Sequence, residues 1–166
     1  MNLTRLLGSA AISLIFLLPT ASQACGLCGL PEIEGFDDIA YLEGEAGVVD
    51  GNGIIFGDQI EVRLNGIAAP ESGADEVATG GPESTAHLKK LVEGKIVTCL
   101  LDGMMNGPRL IGICFVEGKD LGELQVKNGH ARDCSKLSKG RYAEAESWAK
   151  QNTRDLSSTY ELPPFC

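Results

Sequence analysis

Residues 48–71 read VVDGNGIIFGDQIEVRLNGIAAPE and carry the strongest structural pattern in the chain. The segment Asp50–Gly53 predicts a tight turn, because Asp-Gly and Asn-Gly pairs favour positive φ angles. Two apolar runs follow, Ile54–Phe56 and Ile60–Leu64, and the short glycine-containing link between them predicts a β-hairpin. The second run alternates between apolar and charged residues, so Arg63 is expected to point away from its hydrophobic neighbours.

The rest of the chain predicts further strands and about three helices. A first strand is expected to open at Gly47, and a helix to start at Pro82 and end before Gly94. The remaining elements are strands at Lys95–Leu101 and Leu110–Val116 joined by a loop at Asp102–Pro108, and helices at Leu121–Asn128 and Ser138–Gln151. This order, with a helix between the third and fourth of five strands, predicts an α+β, mainly β, protein with a five-stranded OB-fold barrel.

The N-terminus has the pattern of a secretory signal peptide. Arg5 precedes an uncharged apolar run, Leu6–Leu18, and small residues stand at Ser22 and Ala24. We therefore expect residues 1–24 to be removed and the protein to be exported, to the periplasm or the medium, with no membrane span left. A retained anchor and a lipidated Cys25 are the alternatives. The expected organisation is an N-terminal extension at 25–46, the barrel domain at 47–154 and a C-terminal tail at 155–166.

The charge of the chain is strongly acidic. The formal net charge is −9, and without the single arginine of the signal segment it becomes 13 − 23 = −10. Nucleic-acid affinity depends on Lys and Arg neutralising phosphates, so strong non-specific binding of nucleic acid is not expected. A local basic pocket for nucleic acid stays open, and we expect a monomer.

The cysteine content predicts structural disulfides. Six cysteines follow the expected cleavage site, and an even number in an exported chain is typical of disulfide bonds. The sequence alone does not choose among the possible pairings. A redox pair or a zinc site is disfavoured, since the one close pair lies at the expected mature N-terminus and no second close pair completes four ligands. The six are Cys25, Cys28, Cys99, Cys114, Cys134 and Cys166.

These motifs, in this order, resemble those of the thermonuclease family, the calcium-dependent nucleases built on an OB-fold barrel. Val49–Gly53 is similar to the family's V-D-G-D-T, and Arg63–Glu71 to its R-L-x-G-I-D-A/T-P-E. Asn106–Arg109 stands where the family has Y-G-R. The segment Leu121–Ala131 and the run Arg141–Glu146 resemble the family's L-V-x-x-G-x-A and Y-x-x-A-E. The resemblance covers the whole expected mature domain.

The resemblance implies hydrolysis of a phosphodiester and assigns the chemistry to Arg63, Glu71 and Arg109. Two guanidinium groups meet the negative charge on the phosphate oxygens with bidentate hydrogen bonds. A carboxylate orients the attacking water or accepts its proton. Without the resemblance, a surface ion pair of Arg63 with Glu71 is the simpler interpretation.

The same resemblance indicates a degenerate calcium site. The family's calcium positions are occupied here by Asn52, Ala68 and Ala69, which supply no carboxylate. Calcium prefers six to eight oxygen ligands with carboxylate charge, so we expect weak or absent calcium binding. Gly53 in place of a threonine and Pro108 in place of a glycine also depart from the family pattern.

The resemblance further implies disulfides and two alternative functions. The fold makes the strands of Cys99 and Cys114 antiparallel neighbours, and a Cys134–Cys166 bond would pin the tail; Cys25 and Cys28 would close a small terminal loop. One function is a nuclease or phosphodiesterase with reduced, altered or lost activity. The other is a non-catalytic accessory protein of the envelope or of exopolysaccharide biosynthesis, since the ending resembles nuclease-like proteins associated with succinoglycan production.

Overall fold

The computed structural model describes residues 40–72 and 78–166. The expected signal peptide, Cys25, Cys28 and part of the loop that follows Glu71 lie outside these residues. The elements in chain order are β1 Tyr41–Asp50, β2 Gly53–Phe56, β3 Ile60–Leu64, β4 Ile67–Ala68, α1 Gly81–Val92, β5 Ile96–Asn106, β6 Arg109–Val116, β7 Lys119–Asp120, α2 Leu121–Lys127, β8 Arg132–Asp133, α3 Ser135–Ser138 and α4 Ala143–Asn152. A short 3-10 turn, Leu156–Ser158, follows.

Five strands close into a barrel, which confirms the predicted fold. The sheet order is β3-β2-β1-β5-β6-β7, and a parallel pairing of β3 with β6 joins the two sides. The helices cover the barrel, and the largest fully buried side chains fill its interior and the helix contacts, among them Phe115, Ile54, Leu64, Leu88 and Leu121. The β2–β3 hairpin is present as predicted, with β2 starting one residue earlier than expected, at Gly53, and with Phe56 paired with Ile60.

The β1–β2 turn is present, but its glycine is needed for a reason different from the predicted one. Gly51 is not among the residues with positive φ. A Cβ atom at Gly51 would lie 2.0 Å from Ser84 Oγ and 2.9 Å from Ala69 Cβ. The turn therefore packs directly on α1 and on the end of β4, and the missing side chain makes that approach possible.

Two predicted strand limits are wrong. The first strand begins at Tyr41 rather than Gly47, and its residues alternate between exposed and half-buried positions from the start. The alternation was hidden because a glycine and an alanine occupy inward positions. The predicted loop at Asp102–Pro108 is mostly strand: β5 continues to Asn106, which pairs with Arg109 across a two-residue turn. Arg109 is therefore the first residue of a strand.

The predicted helix at Ser138–Gln151 begins only at Ala143, and Ser138 is the last residue of a separate short helix, α3. Lys139 and Gly140 both have positive φ, 56° and 81°, which ends α3 and delays α4 to Ala143. The helical spacing of Tyr142, Ala145, Trp148 and Ala149 predicts a stripe of core residues on this helix. Trp148 departs from that prediction, since it is 44% exposed and Lys127 Nζ lies 5.4 Å from the centroid of its ring. The other members of the predicted stripe are buried, namely Tyr142, Ala145 and Ala149.

Both disulfides expected among the described cysteines are present. Cys99 and Cys114 are direct cross-strand partners on β5 and β6 and are bonded. Cys134 is bonded to Cys166, which fixes the C-terminal residue beside α3. Within residues 40–72 and 78–166, no helix is long and apolar enough to cross a membrane.

Candidate functional site

The closure of the barrel brings the two predicted arginines to one turn. Arg63 lies on β3, opposite Gly53 of β2 and Ile111 of β6. Arg109 starts β6 and faces Asn106. Because β3 pairs with both β2 and β6, its residue 63 is held between the β1–β2 turn and the start of β6.

A chain of hydrogen bonds connects these arginines through the turn. Arg63 Nη1 donates to Asn52 Oδ1 at 2.9 Å, and the Asn52 backbone N–H donates to Asp50 Oδ1 at 2.9 Å. The other oxygen of Asp50 pairs with Arg109 Nη1 at 3.4 Å. Arg109 Nη2 also donates to Asn106 Oδ1 at 2.9 Å. Both guanidinium groups are thus oriented before any ligand arrives.

The two arginines differ in how their charge is balanced. Arg109 is paired with the carboxylate of Asp50, which is buried. Arg63 is half-buried, and its described hydrogen bond goes to a neutral amide oxygen. Burial lowers the pKa of the Arg63 guanidinium and the charge of Arg109 lowers it further, while Asp50 and Glu71 act in the opposite direction. Arg63 stays protonated at neutral pH. Its positive charge is therefore less compensated than that of Arg109.

Glu71 lies near this site but is exposed. No ion pair links it to Arg63 among the described residues, although its charge acts on that guanidinium. Its backbone is fixed: Glu71 O accepts from Ala78 N at 2.8 Å, and a Cβ at Gly81 would lie 2.0 Å from the same oxygen. The carboxylate is therefore attached to a defined backbone at the start of α1 and reaches into solvent.

The residues at the family's calcium positions are buried and mostly apolar. Asn52, Ala68 and Ala69 are at most 2% exposed. The amide oxygen of Asn52 already accepts from Arg63. Ala68 lies in a small apolar cluster that is completed by the disulfide of Cys134 and by tail residues, Tyr160 and Leu162.

The C-terminal tail is hydrogen-bonded to the domain next to Ala68. Arg132 Nη1 donates to Tyr160 O at 3.1 Å, and Lys136 N donates to Cys166 O at 3.1 Å. Together with the disulfide, these bonds hold the tail over Ala68. The sequence analysis did not predict that the tail packs over Ala68. The apolar residues between Leu156 and the last cysteine were the pattern that could have indicated this contact.

A buried polar network behind the turn was also missed. Gln125 Nε2 donates to Gly51 O at 2.6 Å, and Gln125 Oε1 shares a hydrogen bond with His87 Nδ1. The His87 ring stacks on His130 with 4.2 Å between centroids. Burial, with a smaller contribution from the charge of His87, lowers the pKa of His130 to about 4. The network fixes the turn that carries Asn52.

Comparisons with known proteins agree with this geometry. The sequence model of the family described as Staphylococcal nuclease homologue matches residues 61–158, more than half of the 166-residue chain. The chain belongs to this family of nuclease-like barrel proteins. This confirms the predicted resemblance.

One curated relative is the "Succinoglycan biosynthesis protein ExoI" of Rhizobium meliloti (strain 1021). It is 35% identical over 120 residues, which cover 66% of this chain and 61% of the relative. The chain thus spans about three fifths of the length of this relative. The similarity confirms the predicted resemblance to proteins associated with succinoglycan.

The family is calcium-dependent in general, so the donors available here decide whether a metal fits. Among the described residues, no group of three or more His, Cys, Asp or Glu side chains is placed to hold a metal ion. At the family's calcium positions the side chains offer one amide oxygen and two methyl groups. Calcium requires more oxygens and more negative charge than this.

Proposed function

We propose that this chain is an exported, phosphate-binding member of its family that has lost calcium-dependent nuclease activity. Arg63 and Arg109 hold the oxygens of a phosphate group, and Asp50 and Asn106 keep Arg109 in place. The observation that carries the proposal is the contrast between the two sides of the site: the arginines are oriented, while Ala68 is sealed under the tail.

The phosphate-binding half follows from charge and hydrogen bonding. Arg63 is half-buried beside a second arginine, and its described hydrogen bond goes to the Asn52 amide. An anion that accepts from both guanidinium groups relieves their mutual repulsion and uses the remaining N–H groups. In this proposal Glu71 is the carboxylate that would orient a water molecule if a phosphate ester were hydrolysed.

The loss of calcium follows from the donors at Asn52, Ala68 and Ala69. These residues do not fit a calcium ion, because they supply no carboxylate and the Ala68 side chain is completely buried in an apolar cluster. No catalytic step is therefore derived through a metal. Any remaining hydrolysis rests on the two arginines and Glu71.

A nuclease assay tests this proposal. The protein without residues 1–24 is incubated with single-stranded DNA and with RNA, with calcium and with a chelator, beside Arg63→Ala. We expect no calcium-dependent turnover above that of Arg63→Ala. Calcium-dependent hydrolysis that disappears in Arg63→Ala would mean that the chain is a nuclease of the ordinary family type.

A second candidate function is a non-catalytic role in the cell envelope or in exopolysaccharide biosynthesis. It is favoured by the similarity to the succinoglycan biosynthesis protein of Rhizobium meliloti. The acidic chain, with a formal net charge of −9, also disfavours a polyanionic nucleic-acid substrate. Deletion of the gene is expected to change the yield or chain length of the exopolysaccharide. Unchanged polysaccharide in the deletion strain would remove this candidate.

A further inference from the structure

A groove of about 380 Å³ opens beside Arg63. It runs between the end of β3, the tip of the β5–β6 hairpin, α3 and the last residues of the tail. Four apolar side chains in its lining are about half exposed or more, at 63%, 58%, 48% and 55% respectively: Met104, Met105, Leu137 and Phe165. We call this feature the apolar groove.

The apolar groove concentrates exposed hydrophobic side chains in one place. Nine large hydrophobic residues are exposed in the described part of the chain, and four of them line this groove. Scattered exposed hydrophobics are ordinary, but a contiguous patch with a polar edge is typical of a binding site. The volume is also in the range of small-molecule pockets, roughly 300–1,000 Å³.

The charged side chains that line the groove are mainly cationic. Arg63 and Lys136 belong to its lining, and Asp102 is the one acidic side chain that the described residues place there. The oxygens of Asp102 already accept from Asn65 Nδ2 at 3.0 Å and from the Met104 N–H at 2.8 Å. Asp102 is therefore committed to shaping the groove, while Arg63 lacks a carboxylate partner in hydrogen-bond contact among the described residues.

We propose that the apolar groove binds a lipid phosphate: a phosphate ester whose head group contacts Arg63 and whose hydrocarbon chain lies along Met104, Met105, Leu137 and Phe165. This inference names the ligand class of the proposed phosphate site and rests on that proposed function. The two parts of such a ligand match the two kinds of side chain in the lining: the phosphate matches the cationic residues and the hydrocarbon chain matches the apolar ones. Methionine suits a flexible chain, because its unbranched side chain adapts to irregular shapes.

Nucleic acid fits the same groove less well. Single-stranded binding combines a cationic track with several aromatic platforms, whereas the described part of the chain contributes one aromatic residue to this groove, Phe165. The chain as a whole is acidic, which penalises a polyanion more than a ligand with one phosphate group. A neutral oligosaccharide also fits less well. It supplies no anion to pair with Arg63, and it would place polar hydroxyl groups against the apolar methionine side chains.

The test is a calorimetric titration of the protein without residues 1–24 with butyl, hexyl and octyl phosphate below their micelle concentrations. Burial of each methylene is expected to increase the affinity by about fourfold. Inorganic phosphate and a nucleoside monophosphate serve as ligands that lack the chain. Affinity that is independent of chain length, or a nucleoside monophosphate that binds more tightly than octyl phosphate, would overturn the inference.

Three variants assign the two halves of the ligand. Met104→Ser with Met105→Ser is expected to abolish most of the dependence on chain length while leaving the affinity for inorganic phosphate unchanged. Arg63→Gln is expected to weaken all phosphate ligands together. Ile96→Ser, which changes an exposed apolar residue outside the groove, is the control and is expected to change nothing.

The same titrations separate failure of the inference from failure of the proposed function. If inorganic phosphate binds and Arg63→Gln removes it, but chain length has no effect, the arginine site stands and the lipid ligand is wrong. If no phosphate compound binds, or Arg63→Gln has no effect on those that do, the proposed phosphate site itself is wrong, and the inference with it.

Discussion

On one side of the β1–β2 turn, Arg63 and Arg109 are held by hydrogen bonds and an ion pair to Asn52, Asp50 and Asn106. On the other side, Ala68 is fully buried under the tail in a cluster with a disulfide. The polar side depends on hydrogen bonds among charged residues. The apolar side depends on packing and on a covalent bond.

This contrast teaches that one of the positions at which the family resemblance places calcium is packed with apolar side chains in this structure. A metal site that had lost only its carboxylates would leave a solvent-filled hollow. Here the tail fills the position instead, so restoring one carboxylate would not restore the environment that calcium requires. The predictions below test each side of the contrast, in order of decreasing effect.

The largest effect is expected when a carboxylate is introduced on the apolar side. Ala68→Asp buries a charge among apolar side chains, which is expected to reduce the free energy of unfolding by about 3–5 kcal/mol. Arg132, its partner in the strand register, already donates to Glu146 and to Tyr160 O. Urea denaturation measures the loss.

Asn52→Asp is the matched control for this change, because it adds the same carboxylate on the polar side. Arg63 already donates to that position, so the new charge is compensated and the loss of stability is expected to be much smaller. Equal losses for the two variants would contradict the described difference between the sides.

The next effect concerns the disulfide that holds the tail. Cys134→Ser with Cys166→Ser is expected to cost about 2–4 kcal/mol of stability, because the unfolded chain regains the freedom of a loop with a sequence separation of 32 residues. Hydrogen exchange should accelerate at Tyr160 and Cys166, whose amides bond within the tail. If hydrogen exchange at these amides stays slow in the double variant, the disulfide is not what holds the tail over Ala68.

A smaller effect is expected at the glycine that brings the turn onto α1. Gly51→Ala places a methyl group against Ser84 and Ala69 and is expected to cost about 1–3 kcal/mol. Gly44→Ala, on the strand β1 that leads into this turn, is the control, since its nearest atom would be an ordinary 3.8 Å away. Thermal unfolding of both variants gives the comparison, and similar losses would argue against the close approach.

The smallest effect is a pH dependence from the histidine stack. The pKa of His130 is lowered in the folded protein to about 4, so the unfolded chain binds more protons between pH 6.5 and 4. Stability is therefore expected to fall as the pH is lowered through this window. The groups that act on His130 are His87, Arg154, Lys90 and Glu83.

His130→Gln should flatten that acid slope, which thermal unfolding at pH 4.5, 5.5 and 6.5 would measure in both proteins. Because the side chain is only partly buried, the change in melting temperature is expected to be modest. An unchanged slope in His130→Gln would assign the acid sensitivity to other groups.

Much of the barrel could be predicted from the sequence, because the local patterns agree with the strand pairing of the closed barrel. The turn at Asp50, the alternation around Arg63 and the pair Cys99 and Cys114 each predicted a local feature that the closed barrel keeps. The wrong limits have local causes. Positive φ at Lys139 and Gly140 delays the last helix to Ala143 rather than Ser138, and Gly44 interrupted the apolar alternation of β1.

The cover over Ala68 was harder to predict because it depends on contacts between distant parts of the chain. Tyr160 reaches Ala68 only through the register of β4 with β8 and the disulfide at Cys166. No local period encodes such a contact. The groove beside Arg63 was missed for the same reason, since its walls come from a hairpin tip, a short helix and the tail.

The most direct test of the central claim is a calorimetric titration with calcium of the protein without residues 1–24. The account predicts no binding at micromolar calcium, and no gain of binding in Asn52→Asp while the tail covers Ala68. Micromolar calcium binding by the unaltered protein would contradict the account, because it would require ligands that the sealed side of the site does not offer.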